Sequence, residues 1–281
     1  VTRARPGQPH ALPGRLVLLG HPVAHSRSPA FQNAALRALG IPLSYEAWDV
    51  VPADLPDVLA LLRSVRGAGN VTIPHKEAVH RSCDRVSDIA QRAGAVNTFW
   101  VEEDGALVGD NTDVAGLEAT ARALAVPEVG ATVACLGAGG SAAAVCAMVE
   151  RWPGARVALW ARSPERAALL AHRFPGAVQL APSAEAALSG AGLVVNATPI
   201  GMRDEALPVP VAALARDACV MDLVYRPGET RWVREARAAG HRACDGRVML
   251  LQQGAAAFER WLHRSPPIEV MRDALAQALE P

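Results

Sequence analysis

Short apolar runs alternate with amphipathic stretches along most of the chain, which is the pattern of an α/β fold. RLVLLG at 15–20 reads as a buried strand, and 29–39 as a helix that Gly40 closes at its C′ position. Residues 44–50 predict a second strand, followed by a helix around 55–65. A third strand covers 69–73, and Pro74 opens another helix. Residues 95–101 and 107–109 read as a hairpin around Glu103-Asp104-Gly105. The alternation then restarts. Strands are expected at 131–136, 156–160, 193–196 and 218–223, helices at 141–151 and 165–173, and a last helix pair at 249–262 and 268–279. A helix over 115–124 links the halves. This gives one unit over 15–113, a second over 114–245 and terminal helices over 246–281.

With 281 residues, 51% of them hydrophobic, the chain can bury two cores. Basic and acidic residues number 28 each, so no net charge draws it to nucleic acid or an anionic membrane. An uncharged run over 129–149 is long enough to span a bilayer. Gly130, Thr132, Gly137, Gly139 and Gly140 interrupt it, and a strand, a glycine turn and a helix explain it better. Cysteines at 83, 135, 146, 219 and 244 form no C-x-x-C and have no His pair at zinc spacing. Reduced thiols, a cytoplasmic setting and no metal are expected. Residues 1–14, with Arg3, Arg5 and three prolines, read as a short disordered leader.

Gly137-Ala138-Gly139-Gly140-Ser141-Ala142 matches G-x-G-x-x-A between a strand and a helix. Such glycines allow a tight turn and let backbone amides approach a pyrophosphate, the signature of a Rossmann domain. The bland alternative is close packing in a cofactor-free fold. The next strand ends at Ala161-Arg162-Ser163, where an NAD site would place an acid for the ribose hydroxyls. There is none. Arg162, Ser163 and Arg166 suit the 2′-phosphate of NADP instead, unless the arginines are merely a solvated pair.

All but one of the 28 basic residues are arginine, and the exception is Lys76. It lies in NVTIPHK, in the first turn of a helix, where a cation opposes the helix dipole at ~0.3–1 kcal/mol. A penalty on the only lysine argues for acid–base use. Ser28 precedes Pro29, so it reads as an N-cap, although a helix N-terminus with Ser26 and Ser28 also suits a carboxylate ligand. Asp113 could cap the linker helix or act with Asn97 in the cleft between the halves.

Together these residues resemble the shikimate dehydrogenase family, from about Leu16 to Leu279. HSRSP at 25–29, NVTIPHK at 70–76, AVNT at 95–98, GDNTD at 109–113 and GAGGSA at 137–142 carry the resemblance. NAT at 196–198, DLVY at 222–225 and G-x-x-M-L-x-x-Q from Gly246 to Gln253 follow in the family's order. The resemblance implies a substrate-binding first unit with a mostly parallel sheet, a Rossmann second unit that binds the nucleotide, terminal helices that return to the first unit, and NADPH-dependent reduction of 3-dehydroshikimate to shikimate. It places Ser26, Ser28 and Tyr225 on the substrate carboxylate, and Thr72, Lys76, Asn97, Asp113 and Gln253 on the ring hydroxyls. Lys76 and Asp113 would be the acid–base pair. The glycine turn, Ala161, Arg162, Ser163, Arg166, Thr198, Leu223, Gly246 and Met249 would hold NADP, with Asp88 approaching it across the cleft. Ala161, Ser163 and Val248 depart from the family's common Asn, Thr and Gly. The rival readings are a quinate or aminoshikimate dehydrogenase with relaxed cofactor use and a non-catalytic ligand-sensing relative. The one macromolecular partner expected is a second copy of the chain, in a homodimer.

Overall fold

The computed structural model describes residues 11–280. The first unit runs β1 (Leu16–Gly20), α1 (Ser28–Ala38), β2 (Tyr45–Asp49), α2 (Leu55–Ser64), β3 (Ala68–Val71), α3 (Lys76–Ser82), β4 (Arg85–Val86), α4 (Asp88–Ala93), β5 (Thr98–Val101) and β6 (Leu107–Asp110). After α5 (Asp113–Ala123) come β7 (Thr132–Leu136), α6 (Gly140–Val149), β8 (Arg156–Trp160), α7 (Pro164–Arg173), β9 (Val178–Leu180), α8 (Ala184–Ala187) and β10 (Leu193–Asn196). The chain ends with β11 (Cys219–Asp222), α9 (Arg231–Ala238), β12 (Ala243–Cys244), α10 (Arg247–Leu262) and α11 (Ile268–Ala278).

The first sheet has the order β2-β1-β3-β5-β6-β4. It is parallel except around β5, which runs antiparallel to β3 and β6. The expected hairpin is the β5–β6 pair. The second sheet, β12-β11-β10-β7-β8-β9, is wholly parallel and doubly wound. Its order reverses between β7 and β10, and such folds bind ligands at the strand ends beside that reversal.

Each sheet is covered on both faces, which is why β1, β7 and β10 are so uniformly apolar. Leu16, Leu18, Phe31, Leu251, Phe258, Trp261 and Met271 form one core of the first sheet, so α10 and α11 pack on this unit beside α1. Leu19, Leu62, Val79 and Phe99 form the core of its other face. In the second unit α6 is buried along almost its whole length, lying between the sheet and α5. The uncharged run over 129–149 is therefore β7, a turn and α6. Among the described residues no helix is long and apolar enough to cross a membrane.

Three expectations need correction. The linker helix begins at Asp113 and is a packed wall of the cleft: Gly116 lies so close to α10 that an added Cβ would sit 2.7 Å from the Met249 carbonyl. Residues 1–10 of the expected leader lie outside the described residues. Pro13, however, is buried and Gly14 N donates to the Arg66 carbonyl, so packing begins before residue 15. The pattern also missed β4, α4, β9, α8, α9 and β12. Most are too short to show a period, and α9 buries only Trp232, Val233 and Ala236 on an otherwise polar helix.

Candidate active site

Two helix N-termini meet at the mouth of the second sheet, α3 beginning with Lys76 and α5 with Asp113. Lys76 Nζ donates to Asp113 Oδ2 at 2.5 Å, with side chains only 15% and 5% exposed. Asp113 does not cap α5. Thr112 occupies that position, and Asp113 is turned toward Lys76 and Asn97. Asn97 Nδ2 donates to Asp113 Oδ1 at 2.7 Å, and Asn97 Oδ1 accepts from Thr112 N at 2.7 Å. Asn111 Oδ1 accepts from Asp113 N at 3.1 Å. Both carboxylate oxygens are thus engaged and the acid cannot swing away. At the N-terminus of α5 its negative charge also sits where the helix dipole favours it.

These groups open into a cleft of about 210 Å³. Ser26, Ser28, Thr72, Lys76, Asn97 and Asp113 line it, together with Ser141, Leu223, Tyr225, Gly246, Met249 and Gln253. Ser28 is the first residue of α1 and not its cap; Ser26 Oγ accepts from Ser28 N at 3.2 Å. The hydroxyls of Ser28 and Thr72 have no hydrogen-bond partner among the described residues. Burial pushes the Tyr225 phenol up, partly opposed by the adjoining Ser26 hydroxyl. Gln253 donates to the Leu250 carbonyl at 2.9 Å and offers Oε1 to Asn97 at 3.3 Å.

On the nucleotide side, Gly137 has φ +118, and an added Cβ would lie 2.7 Å from the Ala197 carbonyl. Space in front of Gly139 is open. Ala138, Gly139, Gly140 and Arg166 line a second cavity of about 290 Å³, with Arg81 and Arg173 among its other walls. Arg162 and Arg166 are exposed and form no ion pair among the described residues. Ser163 caps α7 and donates to Glu165 at 2.9 Å, so the nearest carboxylate is already engaged. An open glycine cradle beside the unpaired Arg166 guanidinium, with Arg162 just past the end of the neighbouring β8, fits a phosphorylated dinucleotide. Thr198 is bonded to Asn196 Oδ1 beside the turn. Ala142 lies in the core of α6, Ala161 is packed against that core, and Asp88 is exposed at the start of α4; none of the three lines either cavity.

The arrangement matches known proteins over nearly the whole chain. Residues 18–99 match the shikimate dehydrogenase substrate-binding domain, and 246–276 the shikimate 5′-dehydrogenase C-terminal domain. Shikimate dehydrogenase (NADP(+)) of Symbiobacterium thermophilum is 44% identical, covering 95% of this chain and 96% of that one. The chain belongs to the shikimate dehydrogenase family. Among solved structures of similar fold is shikimate 5-dehydrogenase of Thermus thermophilus in complex with NADP(H) and shikimate. It has a TM-score of 0.85 and 42% identity, covering 94% of this chain and 99% of that one. Quinate dehydrogenase of Corynebacterium glutamicum in complex with NAD is a more distant relative at TM-score 0.85 and 31% identity, covering 93% and 98%.

The family cleft also contains residues to which the sequence reading gave no role. Asn70 lines it, receives the Tyr45 hydroxyl at 2.8 Å and donates to the Asn97 carbonyl at 3.1 Å. The scarcity of asparagine was the available signal, since four of the five lie in these segments. Met202 lines the cleft from the loop after β10 and carried no signal.

Proposed function

We propose that this protein catalyses the reversible NADPH-dependent reduction of 3-dehydroshikimate to shikimate, a step of chorismate and aromatic amino acid biosynthesis. The observation that carries this reading is the buried Lys76–Asp113 pair, open to a hydroxyl-lined cleft at the reversal point of a Rossmann sheet. Ser26, Ser28 and Tyr225 bind the substrate carboxylate at the N-terminus of α1. Thr72, Asn97 and Gln253 hold ring hydroxyls. NADPH held by the residues below would supply the hydride for the carbonyl carbon. Lys76 Nζ stabilises the negative charge developing on the carbonyl oxygen and gives it a proton, while Asp113 Oδ2 keeps that ammonium aimed. The glycine turn, Thr198, Leu223, Gly246 and Met249 hold the dinucleotide, and Arg162 and Arg166 its 2′-phosphate. The five free cysteines support a cytoplasmic setting.

The rival is quinate oxidation with NAD. The lack of an acid at the end of β8 and the unpaired arginines there favour NADP. Following formation of the reduced nicotinamide by absorbance, with each of shikimate and quinate paired with NADP and with NAD, tests the reading. Turnover confined to shikimate and NADP is expected. Turnover with quinate or NAD at comparable kcat/KM overturns the specificity, and silence from folded protein in every pairing overturns the reaction.

A further inference from the structure

Behind the nucleotide side of the cleft lies a buried polar cluster that no step above uses. Asp222, the last residue of β11, is 1% exposed and stands in register with Asn196, the last residue of β10. Asn196 Nδ2 donates to Asp222 Oδ1 at 2.8 Å, and Val224 N donates to the same oxygen at 3.1 Å. Thr230 Oγ1 donates to Asp222 Oδ2 at 2.7 Å. Asn196 Oδ1 in turn accepts from Thr198 N at 3.0 Å and from Thr198 Oγ1 at 2.6 Å, and Asn196 Nδ2 also donates to the Ile200 carbonyl at 3.2 Å.

One side-chain contact therefore ties together two loops. The first carries Thr198 and Met202, the second Leu223 and Tyr225. The start of α10 joins them, because Gly246 N donates to the Val224 carbonyl at 2.9 Å and an added Cβ at Gly246 would lie 2.5 Å from the Leu223 carbonyl. Three segments that face the dinucleotide and the substrate carboxylate thus share one anchor.

We propose that Asp222 is a positioning residue, whose carboxylate, held by Asn196 and Thr230, sets the loops presenting Thr198 and Leu223 to the dinucleotide and Tyr225 to the substrate. The inference rests on the function proposed above. A carboxylate is a costly choice for mere core filling, since burial pushes Asp222 up to about 6 and Asp245 nearby repels it. What it offers in return is two oxygens that accept from three donors on different segments at once.

The test combines calorimetric binding of shikimate and of NADP to the ligand-free protein with kinetics and unfolding midpoints, for wild type, Asp222→Ala and Asp222→Asn. Asp222→Ala is expected to weaken both ligands together by about tenfold, as misplacement of binding groups does. In Asp222→Asn, Oδ1 still accepts from Asn196 and Val224 while the amide donates to Thr230 Oγ1. Both affinities should return to within about threefold of wild type. A lower unfolding midpoint with both affinities unchanged, or a loss confined to one ligand, overturns the inference. If Asp222→Ala does not fold, Thr230→Val removes one donor at nearly constant shape, and the two affinities must again fall together. Wild type that binds neither ligand overturns the proposed function, an outcome distinct from wild-type binding left intact by the variants.

Discussion

At the reacting end of the cleft Asp113 has both oxygens bonded and Lys76 is held against it, whereas at the phosphate end Arg162 and Arg166 stand in solvent without ion pairs among the described residues. The two ends use charge in different ways. Groups that meet developing charge in a transition state must be in place beforehand, because reorganising them during the reaction raises the barrier. Groups that only anchor a bound phosphate can be ordered by the ligand itself. Folding therefore fixes the first end, and on the proposed function ligand binding would order the second.

The largest effect should come from breaking the fixed end. Lys76→Ala removes the proposed proton donor and leaves Asp113 buried without its cation; kcat should fall by about 10²–10⁴, with a smaller change in KM for NADP. Steady-state kinetics on folded variant protein check this. Undiminished kcat would mean that the order of the reacting end is structural only.

Asp222 allows a second strong perturbation, this time in stability. Its folded value of about 6 lies above the usual 3.8, because burial disfavours the charged form. The folded state thus holds the proton more tightly than the unfolded chain does. Stability from this group is complete below about pH 4 and is lost as pH rises through about 6, by at most ~3 kcal/mol. Asp222→Asn, having no charge to bury, should gain on wild type in unfolding midpoint between pH 4 and pH 7. A constant difference between the two proteins across that range would remove the burial cost from the account.

How much of this could be read in advance differs between the two ends in the same way. Lys76 stood out by being the only lysine, and the G-x-G-x-x-A turn by its strand and helix context. The alternation of apolar runs gave the long strands and helices, since their burial patterns repeat over several turns or residues. Local sequence left Ser28 and Asp113 open between capping and the cleft; Arg27 and Thr112 take the cap positions, Ser26 accepts from the Ser28 amide, and Lys76 donates to the Asp113 carboxylate. Tyr45, which braces Asn70 while stacked on Trp261 at 5.7 Å, joins residues too far apart in the chain for any spacing rule. Short strands such as β12 form only because a neighbour pairs with them.

The phosphate end predicts a loss of affinity with little change in kcat. Replacing Arg162 and Arg166 together by alanine should raise KM for NADP by about ten- to a hundredfold and leave KM for NAD nearly unchanged. Because both groups are exposed, the wild-type preference should also shrink as salt rises. Equal losses with NAD and NADP would show that these arginines do not read the extra phosphate, and the contrast between the two ends would lose its ligand-ordered half.

The smallest effect is expected at the seam between the units. Arg92 on α4 donates through Nε to Glu150 Oε2, next to α6, at 2.6 Å, and its guanidinium lies 4.4 Å from the Phe174 ring centre. Side chains 40% and 29% exposed limit what this pair can contribute. At such exposure an ion pair and a cation–π contact are together worth about 1 kcal/mol or less. Arg92→Ala should therefore lower the unfolding midpoint by a few degrees at most and change kcat by less than about threefold. A much larger fall in kcat with an unchanged midpoint would place the fixed geometry of the reacting end partly outside the cleft, in a seam that sets how α6 and its glycine turn meet Lys76.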